Sequence, residues 1–326
     1  MTLDELSLVA LYSAMAVYAL AFIAFAIDLS RRGTAVQRAE IAARKQAKQA
    51  QAAGGVLVET KTDVPTEPVE YRDSPSLRVG VALTVIGWAL QLGATVLRGF
   101  AASRVPWANM YEFALTGTLL IVTVFLLTIF ISKQDLRFLG TFIIGLVLLF
   151  LGVATVNFYV AVAPLPPALQ SAWLVIHVFV ATAATGFFAL GAALSVLQLM
   201  QTRRERKLAD GQSSMRFLGT LPNAEKLENL AYRINIIGFI LWTFTLMAGA
   251  IWAERAWGRY WGWDTKEVWT FIIWVLYAGY IHARATRGWR GSRASWLAIV
   301  GFTAILFNFT IVNLFFKGLH AYSGLQ

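Results

Sequence analysis

The chain has 326 residues, 58% of them hydrophobic and only 14% charged, which is too apolar for a soluble globule. It contains no cysteine, so it forms no disulfide and offers no thiolate for metal binding or catalysis. Its net charge of +10 would suit a nucleic-acid partner, but the basic residues are distributed with the apolar runs instead, and no nucleic acid is expected.

Eight runs reach the roughly 20 apolar residues that a helix needs to cross a bilayer: about 6–27, 77–97, 112–132, 138–158, 173–200, 233–253, 267–283 and 295–316. Lipid offers backbone groups no partners, so these runs must be helices. The expected fold is an all-α polytopic membrane protein. The first run does not read as a cleaved signal peptide: Asp4 and Glu5 precede it, no small-residue cleavage site follows, and Arg31 and Arg32 stand behind it. Three parts follow: an N-terminal helix (1–30), a basic linker (31–76) and a seven-helix core (77–326). Within the linker, Arg31 to Ala53 is rich in Ala, Gln, Lys and Arg and can continue the first helix. The part with Gly54, Gly55, Pro65 and Pro68 reads as a flexible connector. Residues 201–230 form a second polar segment, partly helical. No nucleotide-binding glycine fingerprint is present, so energy coupling by a bound nucleotide is not expected.

The polar segments 28–78, 133–137, 201–233 and 284–293 hold 22 of the 28 Lys and Arg residues. The segments on the other side hold 6. By the positive-inside rule the basic side is cytoplasmic and both termini lie outside. The outer side then collects the unusual stretches: Pro106 to Glu112, the prolines 164, 166 and 167, the tryptophan segment, and Lys317 to Tyr322.

Six of the twelve tryptophans fall between Trp252 and Trp274, with acids and bases among them. An aromatic shelf at a water–lipid boundary suits a large planar ligand. His177, early in the fifth run, and His320, just past the eighth, share its side. His282 lies at the far end of the seventh run. Any one histidine at a helix end is ordinarily an interface residue, yet ionisable groups in membrane helices are functional candidates by default. Together, His177 and His320 can supply two imidazoles to an iron centre while the tryptophans edge its macrocycle. On helix 7, Asp264, Val268, Phe271, Val275, Ala278 and His282 fall on one stripe, so one face links the shelf to the third histidine. Ala278 and Gly279 leave room for something bulky beside His282, but taken alone they read first as a helix-packing contact. Arg255, Arg259 and Lys266 either meet ligand carboxylates or pair with Glu254, Asp264 and Glu267. Trp88, Trp107, Trp173, Trp242, Trp289 and Trp296 are adequately explained as interfacial belt or helix packing.

The run Trp257-Gly-Arg-Tyr-Trp-Gly-Trp-Asp-Thr-Lys-Glu-Val-Trp269 resembles the tryptophan-rich WWD signature of haem-handling proteins, in the form of the CcsA/ResC branch of cytochrome c biogenesis proteins. The resemblance covers about residues 77–326. It includes Asn109-x-Tyr111-Glu112, Trp173 to His177, Tyr232-Arg233, Tyr280-Ile-His282-x-Arg284, Gly288-Trp289-x-Gly291 and the ending Lys317 to Tyr322.

The resemblance implies cytochrome c biogenesis in the bacterial plasma membrane, with a plastid thylakoid membrane as the lesser alternative. Haem b, the substrate, would reach the membrane from the cytoplasmic side and be held by His282. The opposing ligand would come from a CcsB/ResB-type membrane protein. Haem would then reach the outer site, where His177 and His320 are its axial ligands and Trp257, Trp261, Trp263, Asp264 and Trp269 line or edge it. Apocytochrome c would bring a Cys-x-x-Cys-His segment, kept reduced by separate thiol-reducing proteins, whose thiols add across the haem vinyl groups. Asp264 and Glu267 are the candidate proton donors. Two alternatives stand: a haem transporter or chaperone that delivers haem without forming the bond, and a structural or ion-translocating subunit of a respiratory complex. The second would call for charges in mid-membrane, and helices 3 to 8 carry almost none.

Overall fold

The computed structural model describes residues 1–52, 74–131, 135–162, 170–210, 218–219, 221–286, 288–316 and 318–320. The linker expected around Gly54 to Pro68, and the prolines 164, 166 and 167, lie outside the described residues. What is described is helical, with no strand among those residues. The helices are α1 (Leu3–Ala52), α2 (Pro75–Ala102), α3 (Met110–Ile131), α4 (Gly140–Asn157), α5 (Ala172–Ala209), α6 (Ala224–Trp257), α7 (Thr265–Thr286), α8 (Ser292–Phe309) and the short α9 (Ile311–Phe315). A 3-10 turn, Arg137–Leu139, leads into α4.

Seven of these helices are long and apolar enough to cross a membrane. The eighth, α7, has 22 residues but carries Lys266, Glu267, His282 and Arg284 towards its ends, which lowers its hydropathy. The Ala/Gln/Lys/Arg-rich stretch after the first apolar run does continue as helix, carrying α1 to Ala52.

The bundle has two packed halves. In one, α1 lies along α2 and α4, with α3 beside them. The amide of Gln91 joins three helices here: it accepts from the Tyr18 hydroxyl at 2.8 Å and donates to Thr118 Oγ1 at 2.7 Å. In the other half, α5 and α6 form a long hairpin, closed by α7 and α8. Phe188 of α5 stacks on Tyr277 of α7 with centroids 3.7 Å apart. Interhelical hydrogen bonds such as Trp274 Nε1 to Thr243 Oγ1 (3.0 Å) and Ser295 Oγ to Gln198 Oε1 (2.7 Å) add register where apolar burial cannot select partners.

Successive helices run antiparallel, so alternate helix ends gather at one end of the bundle, called here the tryptophan end. A buried ion network ties that end together. Arg98, at the end of α2, bonds Asp4 of α1 at 2.5 Å, Glu112 of α3 at 3.1 Å and the carbonyl of Val160 past α4 at 2.6 Å. Arg104 also bonds Glu112, at 2.6 Å. At the opposite, arginine-rich end, Arg284 bonds Glu228 at 3.2 Å and lies 4.0 Å over the Tyr232 ring.

Candidate functional site

The tryptophan segment is a loop held from below by α7. Glu267 is buried, and its Oε2 accepts the backbone N–H of Asp264 at 3.0 Å and of Gly262 at 2.8 Å. Glu267, three residues after Asp264, thus makes the return half of a capping box at the start of α7, while the Asp264 side chain is used elsewhere. Within the loop Trp263 adopts φ +59°, a left-handed conformation that is uncommon for a bulky residue, and its side chain is 74% exposed.

His320 returns to this loop from past α9. Its Nδ1 lies 2.7 Å from Asp264 Oδ2. The carboxylate accepts and Nδ1–H donates, so in the neutral imidazole the free lone pair is on Nε2. The carboxyl of Asp264 is held below its ordinary value, chiefly by this bond from His320 and further by backbone N–H groups of Leu319 and Thr265. The backbone at Gly318 presses on the same carboxylate: a Cβ there would lie 2.1 Å from Asp264 Oδ1.

His177, one and a half turns into α5, is fixed in the same sense. Its Nδ1 lies 3.0 Å from the carbonyl oxygen of Thr245 on α6. A carbonyl only accepts, so Nδ1 carries the proton and Nε2 again is free. The ring packs flat against α6 at Gly249, where a Cβ would lie 2.7 Å from Cε1 and 2.8 Å from Nδ1. Only glycine allows that approach. Each imidazole is thus a single tautomer with one nitrogen tied to a backbone or carboxylate oxygen, the arrangement that orients metal-ligating histidines.

The six clustered tryptophans do not form one shelf. Trp252 is buried and touches both histidines: its ring centroid is 5.9 Å from that of His177, nearly parallel, and 5.5 Å from that of His320. Trp257 meets His320 edge-on at 4.7 Å. Trp261 and Trp263 contact each other at 5.9 Å and face elsewhere, Trp261 towards Phe271. Trp269 packs on Phe307 between α7 and α8 at 4.4 Å. Trp274 stacks on Phe271. Trp107 and Trp242, explained adequately as belt or packing residues from sequence, also help line a cavity, and Trp242 does pack between helices against Phe188. That cavity opens between α3, α5, α6, α7 and α8, and His177, His320, Trp252 and Lys266 share its wall.

His282 stands apart from this cavity. It is exposed on α7, as are Phe271, Val275 and Gly279, and its ring makes no hydrogen bond among the described residues. A Cβ at Gly279 would meet nothing within 4 Å, so this small residue faces open space and no packed helix. The stripe foreseen along α7 therefore lies on the outside of the bundle. It begins at Trp261, because the Asp264 side chain turns away to His320.

Sequence reasoning missed Thr245, Gly249 and Asn313. Thr245 acts through its carbonyl, which leaves no trace in side-chain chemistry. The small run Ala248-Gly249-Ala250 was the available sign of a close approach. Asn313 holds Lys266 across a separation that the sequence does not reveal.

Residues 107–320 match the cytochrome C assembly protein family. The chain is 34% identical over 255 residues to the cytochrome c biogenesis protein CcsA of Trieres chinensis, covering 70% of this chain and 81% of that protein. It is 34% identical over 284 residues to CcsA of Prochlorococcus marinus, covering 78% and 85%, and 35% identical over 239 residues to CcsA of Guillardia theta, covering 68% and 77%. Among solved structures it resembles the cytochrome c heme lyase CcmF with a TM-score of 0.64 at 17% identity. That likeness covers 95% of this chain, which spans about half (47%) of the CcmF chain, and at this identity it speaks for the fold alone.

Proposed function

Because this chain belongs to the cytochrome c assembly protein family and takes part in cytochrome c biogenesis, we propose that it holds haem b between His177 and His320 and presents it for attachment to apocytochrome c. One observation carries this reading. Both imidazoles have Nδ1–H committed to a fixed acceptor, Thr245 O or Asp264 Oδ2, so both Nε2 atoms are free for iron, and both rings contact Trp252. Two neutral imidazoles fill both axial positions, which excludes oxygen and tunes the iron.

The 22 basic residues on the opposite segments support the tryptophan end as the outer side. Apocytochrome c supplies a Cys-x-x-Cys-His segment. In each attachment a thiol S–H adds across a vinyl group: an S–C bond forms, the vinyl π bond breaks, and the proton ends on the neighbouring carbon, with no net oxidation. Holding vinyl and thiol together makes this addition nearly unimolecular. A chain without cysteine cannot capture the vinyl itself. Asp264 is the nearer proton relay, since it already contacts an axial imidazole; Glu267 is committed to the cap of α7. His282 receives haem at the cytoplasmic side. Its exposure supports an opposing ligand from a CcsB/ResB-type partner, because a second chain can reach that face.

The test is to purify the chain with its partner from haem-replete cells and record reduced spectra. A six-coordinate bis-histidine haem is expected, lost or weakened in His177→Ala and His320→Ala and restored by added imidazole. Unchanged haem in both variants would overturn the assignment. Attachment is then assayed with the purified complex and an apocytochrome peptide bearing Cys-x-x-Cys-His. No thioether product despite bound reduced haem would leave delivery without ligation.

A further inference from the structure

We propose that Lys266, held in place by Asn313, is the subsite for a carboxylate of the planar ligand that His177 and His320 bind. This rests on the haem reading and assigns one feature of it, the seat of a propionate side chain.

Lys266 is half-buried and lines the cavity shared by the two histidines. Among the described residues on that wall it alone carries a fixed charge; the rest are aromatic, aliphatic, hydroxyl, amide or imidazole. Its ammonium donates to Asn313 Oδ1, a neutral acceptor. An ammonium has three N–H donors and no acceptor capacity, so donors remain for an occupant. No carboxylate among the described residues lies within ion-pair distance. Asp264, two residues earlier, is turned to His320, and Glu267, one residue later, accepts from Gly262 and Asp264. A cation in an apolar cavity whose one hydrogen-bond partner among the described residues is an amide, with the Asp264 charge acting on it only from beyond ion-pair distance, costs stability, and an anionic occupant offsets that cost.

The other two basic residues of the loop are engaged elsewhere. Arg255 is exposed, with its guanidinium 5.8 Å over the Trp173 ring. Arg259 is exposed and folded over Gly262, where a Cβ would lie 2.0 Å from its Cζ. Neither lines the cavity. Lys266 is thus the residue whose charge faces the ligand, and it fixes which edge of the macrocycle turns inwards. With a propionate drawn to Lys266, the vinyl edge is directed away from it, towards the incoming thiols.

The experiment uses the full chain and compares haem b with its dimethyl ester, in which both carboxylates are masked. Binding is read from the bis-histidine spectrum. In the unaltered protein the ester is expected to bind about ten-fold to a hundred-fold more weakly, the worth of a charge-assisted hydrogen bond. In Lys266→Gln the acid and the ester should bind alike, and in Lys266→Arg the discrimination should persist. Equal binding of acid and ester by the unaltered protein overturns the subsite without any variant having to fold. So does Lys266→Gln if it weakens both ligands equally and keeps the preference, which would mark Lys266 as a purely structural group. If neither compound gives a bis-histidine spectrum, the haem reading itself fails, and that outcome is distinct from the other two.

Discussion

His320 Nδ1 sits 2.7 Å from Asp264 Oδ2, although 56 residues separate them in the chain. The pair joins the end of the tryptophan loop to the residue just past α9. It fixes a half-buried imidazole past α9, and leaves Nε2, the atom the proposed iron ligation would use, outside that bond.

Asp264→Asn tests that coupling. The amide keeps an acceptor but loses the charge, and changing a residue that orients a ligating imidazole typically costs about ten-fold to a hundred-fold in affinity. Haem titration of the purified complex should show such a loss with axial ligation unchanged. The carboxyl of Asp264 is held below its ordinary value of 3.8, chiefly by the bond from His320. A depressed carboxyl contributes fully above the ordinary value and fades as pH falls through the lower native one. The ratio of affinities between the two proteins should therefore stay constant from about pH 8 to about pH 5. A ratio that collapses within that range would mean another group supplies the charge.

Gly249→Ala asks whether backbone proximity positions His177. The added Cβ would lie 2.7 Å from Cε1, too close for the ring to stay where it is. Alanine otherwise suits a helix interior better than glycine by roughly 1 kcal/mol, so folding should survive. The expected result is a well-folded chain with haem content as low as in His177→Ala, partly rescued by imidazole. Normal haem content would show that the ring can shift and still ligate.

Much of the architecture was legible because the bilayer leaves the backbone so few options. The run 112–132 became Met110–Ile131, and 138–158 became Gly140–Asn157, each within about two residues. The site was legible as a set of residue types expected together at one end of the bundle, but not as a geometry. Counting tryptophans could not show that Trp252 packs between α5 and the tail while Trp263 points out to 74% exposure. Which face a loop residue takes depends on the cap of α7, and which imidazole nitrogen is free depends on a carbonyl at Thr245. Neither has a side-chain signature. The charges were ambiguous for the same reason: Lys266, Arg255 and Arg259 look alike in sequence, and only the cavity wall separates them.

Glu112→Gln should destabilise the fold more than it disturbs the chemistry. Glu112 is fully buried, pairs with Arg98 at 3.1 Å and Arg104 at 2.6 Å, and accepts the backbone N–H of Ala108 at 3.0 Å. Neutralising it leaves two guanidinium groups without their common carboxylate, a change that costs about 3–5 kcal/mol when the pair is buried. Denaturant unfolding in detergent should show a loss of that order. Because Glu112 also fixes the 106–110 stretch, where Trp107 and Asn109 line the cavity, haem should dissociate faster from this variant. A stability change within about 0.5 kcal/mol, as for ordinary surface substitutions, would show that the network is dispensable.

His282→Ala separates supply from holding. The ring is exposed and makes no hydrogen bond among the described residues, so its loss should leave the melting temperature and the His177–His320 site untouched. Haem added directly to the purified chain should then bind as in the unaltered protein. Haem recovered with the chain from cells should fall if His282 is the proposed cytoplasmic foothold. The exposed face joining Trp261, Phe271, Val275 and His282 makes a sharper demand. A charge at Val275, as in Val275→Glu, should lower cellular loading in the same way while in vitro binding stays normal, since Val275 does not line the cavity. If cellular loading is unchanged in both variants, haem does not travel along this side of α7, and the route must run through the bundle or through the partner.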